Sequence, residues 1–149
     1  DGTLSMGMGL SIIMGRMVLI TGDLALLHDT NGWLFSKDKN TSLIVILIDN
    51  GGGGIFNQLN IDKTQEGDFK EIFLMPQEVC HLTLAKAYGV KYKQVACLDD
   101  LEQAIEWSFS LSSNVLIRVC TNSAEDHKLR VCLRNELKRT LFKNLSSFD

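Results

Sequence analysis

The chain has 149 residues, 45 % of them apolar and 22 % charged, with a formal charge of -3. That length supports one domain with a real core, since a globular chain of this size buries roughly two-thirds of its unfolded surface, and the composition excludes disorder. The mild acidity, with Lys and Arg spread out except near the C-terminus, excludes an electrostatic footprint for nucleic acid, and no apolar run approaches the roughly 18 to 20 residues of a membrane span.

The sequence opens on Asp1, inside what reads as a helix entry and without a leader-like segment. This predicts a single domain over 1–149, the C-terminal part of a longer polypeptide. Residues 4–14 carry Leu, Met and Ile with Gly7 and Gly9. Glycine in a helix costs about 1 kcal/mol relative to alanine, so two of them imply a helix pressed closely on a sheet. Residues 17–20 predict a buried parallel strand ending at Gly22-Asp23, with Asp23 at the start of the next helix. That helix, 24–35, is amphipathic through Leu24, Leu27, Trp33, Leu34 and Phe35. After a polar connection, residues 42–48 hold Leu-Ile-Val-Ile-Leu-Ile, the clearest strand and a central one. Gly51, Gly52, Gly53 and Gly54 then permit positive φ and exposed amides that a phosphate or a ring could approach.

The polar stretch 57–71 reads either as a lid over a ligand or as a solvated loop. Beyond Pro76 the pattern gives a helix over 78–88 closed by Gly89, a strand over 90–96, a helix over 99–109, a strand over 114–120 and a helix over 123–143. Strands alternating with helices predict an α/β fold: a parallel sheet flanked by helices in three layers, with right-handed crossovers. Cys80, Cys97, Cys120 and Cys132 show no Cys-x-x-Cys spacing and read as buried free thiols. His28 reads as structural or interfacial, His81 as a helix residue and His127 as a surface one, none of them catalytic.

Two predicted strands end in hard oxygen donors, the Asp23 carboxylate and the Asn50 carboxamide, and the glycine run frees a backbone carbonyl beside them. Successive parallel strands end on one edge, where such sheets bind ligands, and magnesium selects oxygen donors shared with phosphate. The pattern points to a magnesium diphosphate site. The plainer alternative makes Asp23 a helix cap and Asn50 a turn residue. A nucleotide loop fits poorly: Ile55-Phe56 stands where a P-loop needs Lys and Ser or Thr, and the Gly-x-Gly-x-x-Gly spacing is missing.

Gly22-Asp23 with Asp49-Asn50 resembles the diphosphate-binding signature of thiamine-diphosphate enzymes, which opens with Gly-Asp and closes with Asn-Asn. Asp1-Gly2-Thr3-Leu4-Ser5, then Gly22-Asp23-Leu24-Ala25-Leu26-Leu27-His28-Asp29-Thr30-Asn31-Gly32, then Gly52-Gly53-Gly54-Ile55-Phe56 are similar to one branch. That branch is the 2-succinyl-5-enolpyruvyl-6-hydroxy-3-cyclohexene-1-carboxylate synthases of menaquinone and phylloquinone biosynthesis. The resemblance covers nearly the whole chain and is dense up to Phe56 and again over 73–77.

The resemblance implies Mg2+ or Mn2+ held by Asp23, Asn50 and the Gly52 carbonyl. It implies thiamine diphosphate lined by the Gly22, Leu24 and Ala25 amides, with Gly53 in the same loop and Ile55, Phe56 and Leu59 against cofactor or substrate. The implied reaction is a transfer in which 2-oxoglutarate loses carbon dioxide and the remaining four-carbon unit adds to isochorismate. A homodimer or homotetramer follows, in which an N-terminal pyrimidine-binding domain from another subunit brings the activating glutamate. No catalytic residue then lies in this chain, which is inactive by itself. The implied location is the cytoplasm of a prokaryote or the plastid stroma of an alga. Asp49 and Gly51 stand where the family often has Asn, and Ala25 where some relatives have Ser. A carboxylate at 49 repels diphosphate unless it turns into the sheet or pairs with a cation. Two alternatives remain: another thiamine-diphosphate enzyme of acetolactate-synthase type, and a non-catalytic domain of the same fold.

Overall fold

The computed structural model describes residues 2–59 and 66–145. Four strands, β1 (Met17–Gly22), β2 (Leu43–Asp49), β3 (Lys91–Val95) and β4 (Val115–Cys120), form one parallel sheet in the order β1-β2-β4-β3. The helices are α1 (Thr3–Met14), α2 (Asp23–His28), α3 (Glu66–Asp68), α4 (His81–Ala87), α5 (Leu98–Ser110) and α6 (Ser123–Leu145). The run of β-branched and leucine residues in β2 is buried on both faces, as a central parallel strand requires. Leu43, Val45 and Leu47 pack with Leu4 and Met8 of α1, Leu26 of α2, Ala85 of α4, and Trp33 from the segment after α2. Ile44, Val115 and Ile117 cluster with Val95 of β3 and Ala104 of α5. The three-layer parallel architecture is the one the sequence predicts.

Several local expectations change. β1 is not a buried strand: it lies at the edge, and Val18 and Ile20 are exposed because α5 covers β3 and β4 instead. Of the two helix glycines, Gly7 makes a close approach, where a Cβ would sit 3.2 Å from Leu43, whereas Gly9 faces open space. The expected single helix over 24–35 breaks at Asp29, and Thr30–Lys37 winds as a 3-10 helix. The cause is local. The Asp29 carboxylate accepts hydrogen bonds from the Ser5 amide (2.6 Å) and hydroxyl (2.8 Å), and Gly32 presses on α1 so closely that a Cβ would meet Leu4 at 2.8 Å.

The four cysteines are free, but they are exposed rather than buried. Cys80 and Cys97 occupy the turns that start α4 and α5, Cys120 ends β4 at the rim, and Cys132 lies on the outer side of α6. Residues 60–65 of the expected lid or loop lie outside the described residues. Its remainder is helical: a 3-10 turn over Gly54–Gln58, α3, and a π-helical segment over Phe69–Leu74. Among the described residues no helix is long and apolar enough to cross a membrane.

Candidate functional site at the carboxyl rim of the sheet

The register of β1 on β2 pairs Gly22 with Ile48, so the strand ends deliver Asp23 and Asp49 to the same rim. Asp23 is the first residue of α2 and is buried. Its Oδ1 accepts the Leu24 amide at 2.9 Å, and its Oδ2 accepts the Gly52 amide at 2.5 Å, tying the first strand end to the glycine run. Burial pushes the Asp23 carboxyl above the ordinary carboxylate range; the Leu24 and Gly52 amides pull it back, and the charge of Asp49 adds to the rise. Asp23 has no ion pair among the described residues, and a buried carboxylate of that kind is what a metal ion would relieve.

The glycine run is tight rather than open. Gly51 and Gly52 have φ of 80° and 126°, which side-chain-bearing residues rarely adopt. A Cβ on Gly52 would lie 2.0 Å from the Leu74 carbonyl, and that carbonyl accepts the Gly53 amide at 2.6 Å. The π-helical segment therefore holds the loop from behind. The expected exposed amides are not free. Gly51 donates to Asp49 at 3.2 Å, Gly52 to Asp23, Gly53 to Leu74 and Gly54 to the Gly52 carbonyl at 2.8 Å. Leu24, expected to face a diphosphate through its amide, already donates to Asp23.

Asn50 follows β2 with its Oδ1 buried and, among the described residues, without a hydrogen-bond partner. Such an orphaned acceptor costs free energy unless a ligand fills it. A side chain at Gly54 would collide with the Asn50 amide at 2.8 Å, so glycine there preserves the space this carboxamide occupies.

Asp49 answers the question its sequence position raises. Its Oδ2 accepts Arg118 Nε of β4 at 2.7 Å, and Arg118 reaches on to Gln94 of β3 at 3.3 Å. Burial alone would raise the Asp49 carboxyl, but the Arg118 hydrogen bond and then the Gly51 amide hold it below the ordinary carboxylate value. His81, buried at the start of α4, is pushed down by burial while Asp49 and Asp23 push it back up. The extra carboxylate is thus turned toward a cation of the neighbouring strand.

The sequence profile described as "Thiamine pyrophosphate enzyme, C-terminal TPP binding domain" matches residues 2–119. The chain belongs to that family. Relatives of this thiamine pyrophosphate domain include the 2-succinyl-5-enolpyruvyl-6-hydroxy-3-cyclohexene-1-carboxylate synthase of Prochlorococcus marinus strain NATL1A, 87% identical over 149 residues. The synthase of the same name from Synechococcus sp. strain CC9311 is 49% identical over 146 residues, 98% of this chain. The chain spans about a quarter of the length of these relatives, 25% in each case. In fold it is similar to a benzoylformate decarboxylase from Polynucleobacter necessarius, with TM-score 0.67 and 23% identity over 80% of this chain and 23% of that one. A 4-hydroxybenzoylformate decarboxylase from Rhodococcus jostii RHA1 gives TM-score 0.60 and 20% identity over 72% of this chain and 20% of that one.

In this thiamine pyrophosphate domain the residues available to a divalent metal are few. Among the described residues no group of three or more His, Cys, Asp or Glu side chains is placed to hold an ion. An ion at the rim would rest on the Asp23 carboxylate, the unpartnered Asn50 oxygen and the second lone pair of the Gly52 carbonyl, and would take its other positions from phosphate or water. Ile55, Phe56 and Leu59 stand beside this loop with exposed side chains, Phe56 edge-on to Phe73 at 5.7 Å. Gly22 closes β1 and Ala25 lies in the first turn of α2.

Sequence reasoning missed Arg118 and Leu74. Arg118 had a signal, being the sole charged residue in the run Val-Leu-Ile-Arg-Val-Cys. Leu74 acts through its carbonyl and leaves no such trace.

Proposed function

We propose that the chain is the cofactor-diphosphate domain of a thiamine-diphosphate-dependent 2-succinyl-5-enolpyruvyl-6-hydroxy-3-cyclohexene-1-carboxylate synthase. The observation that carries this reading is the pairing at one rim of a buried Asp23 with an Asn50 oxygen, neither of which has a cation or donor side chain as partner among the described residues. The 87% identity to a synthase of that name directs the choice of branch. Asp23, Asn50 and the Gly52 carbonyl would hold Mg2+, or Mn2+ in its place, whose charge would offset that of the cofactor's diphosphate. When bound, thiamine diphosphate supplies the nucleophilic carbon and the electron sink for decarboxylating 2-oxoglutarate and passing the remaining unit to isochorismate.

The chain's own residues fix and screen that site. Gly52 holds Asp23 in place through its amide, and Gly51 and Gly53 keep the loop in its left-handed and clamped path. Arg118 neutralises Asp49, which removes the repulsion that an acidic residue would otherwise exert on a diphosphate. Ile55, Phe56 and Leu59 give an apolar wall that excludes water from cofactor and substrate. The pyrimidine end and its activating carboxylate come from a further domain of a neighbouring subunit in a dimer or tetramer.

The test is turnover by the intact gene product, supplied with thiamine diphosphate and magnesium, of 2-oxoglutarate with isochorismate and, in parallel, of pyruvate. Consumption of the first pair is the expected result. Turnover of pyruvate alone would move the chain to the acetolactate branch, and silence on both despite cofactor binding would make it a non-catalytic domain.

A further inference from the structure

Three buried polar side-chain atoms lack a hydrogen-bond partner among the described residues: Thr3 Oγ1, Asn50 Oδ1 and His127 Nδ1. Asn50 and His127 line the same cavity, a space of about 170 Å³ walled by Gly54 and Ile55 on one side and by Ser123, Asp126, His127 and Arg130 of α6 on the other. Asn50 on the β2 loop and His127 on α6 therefore border one hole beside the rim, their unpartnered Oδ1 and Nδ1 atoms themselves buried behind its wall.

The helix is delivered there by the sheet. β4 runs level with β2 until Cys120 pairs with Asp49, and the Thr121 amide donates to the Asp49 carbonyl at 2.8 Å. Asn122 then caps α6 by accepting the Ala124 and Glu125 amides at 3.0 and 3.1 Å. Ser123 seats against Gly54, where an added Cβ would lie 3.0 Å from the serine Cβ.

The face that α6 turns inward is unusual in kind. Ser123, Asp126, His127 and Arg130 fall at i, i+3, i+4 and i+7, one stripe of a helix. A helix seated for packing alone would turn leucines inward, yet Leu129, Leu133, Leu137 and Leu141 are exposed and the polar stripe lines the cavity. Arg130 forms no ion pair among the described residues. Asp126 sits in the first turn, where the helix dipole offsets its charge. The imidazole, the guanidinium and the Ser123 hydroxyl give this cavity donors suited to an oxyanion, set against the single carboxylate of Asp126 in its wall.

We propose that His127 and Arg130 bind the terminal phosphate of the cofactor's diphosphate, making α6 a wall of the cofactor site although it lies beyond the 2–119 segment that the family profile matches. This rests on the thiamine-diphosphate reading given above and adds two residues to it.

The test titrates thiamine diphosphate, at saturating magnesium, into the cofactor-free intact gene product and into its His127→Gln, Arg130→Gln and Arg130→Lys variants. Inorganic pyrophosphate serves as competitor, and thermal unfolding of each cofactor-free protein checks the fold. Loss of a charge-assisted contact is expected to weaken the Kd about tenfold for Arg130→Gln and by a smaller factor for His127→Gln, with pyrophosphate competition weakened in step. Arg130→Lys keeps the charge and should restore most of the affinity. Wild-type Kd values in both Gln variants would overturn the inference while leaving the cofactor reading intact, the cavity then holding only solvent. Equal weakening by Arg130→Lys and Arg130→Gln would also overturn it, since charge would not be what matters. A wild-type protein that binds no thiamine diphosphate would overturn both.

Discussion

Removing Arg118 should do more harm than removing the acidic residue it holds. Arg118→Gln strips the cation from a carboxylate that is 10% exposed, beside a second buried carboxylate at Asp23. Breaking a buried ion pair from one side costs about 3–5 kcal/mol, but the Arg118 side chain is 26% exposed, so solvent reduces this to about 1–3 kcal/mol. Asp49→Asn should cost less, about 1 kcal/mol, because asparagine still offers an acceptor to Gly51 and the freed guanidinium keeps Gln94 and water. The double variant should then recover part of the Arg118→Gln loss, a coupling of about 1–2 kcal/mol. Native-state hydrogen exchange of β2 and β4 amides in the intact gene product reads this locally. The sign with pH is fixed. The depressed Asp49 carboxyl contributes stability that is present above its unfolded value and lost as pH falls through its folded value, so the coupling should vanish in acid. Coupling near zero at neutral pH, or one that survives protonation, would refute the argument.

Asp23→Ala should abolish magnesium-dependent binding of thiamine diphosphate, measured by equilibrium dialysis; unchanged affinity would remove Asp23 from the metal site. The Asp23 carboxyl is raised in the fold, so the penalty for ionising it is absent at low pH and develops as pH rises from about 4 upward. The gain in melting temperature on adding magnesium and cofactor should therefore grow over that interval, and a flat or falling gain would contradict the assignment. Gly52→Ala, with φ of 126° and a Cβ that would lie 2.0 Å from the Leu74 oxygen, should cost more than about 2 kcal/mol and displace the loop, whereas Gly51→Ala, strained but in open space, should cost about 1–2 kcal/mol. Exchange rates of the Gly53 amide separate the two.

The sheet was legible in the sequence because its signals are local and redundant. The β2 run is apolar throughout, and helices and strands alternate with ordinary connections. The rim was legible too, since Gly22-Asp23 and Asp49-Asn50 lie at strand ends by construction. What stayed hidden depends on long-range pairing. Helix 24–35 breaks because Asp29 is claimed by Ser5, and the amides of Gly51–Gly54 are consumed by partners as far away as Leu74. Exposure of Val18 and Ile20 follows from where α5 lies, which periodicity in β1 cannot report. His127, read from sequence as a surface residue, is half-buried with its Nδ1 closed off, because α6 docks its first turns on Gly54.

The central claim is that Asp23 and Asn50 hold a divalent ion for a diphosphate. Mn2+ binding to the intact gene product, followed by electron paramagnetic resonance with and without thiamine diphosphate, tests it most directly. One tight Mn2+ per chain, appearing with the cofactor and lost in Asn50→Ala, is the expected result. Manganese bound equally well by Asn50→Ala, or cofactor bound without any metal, would contradict it.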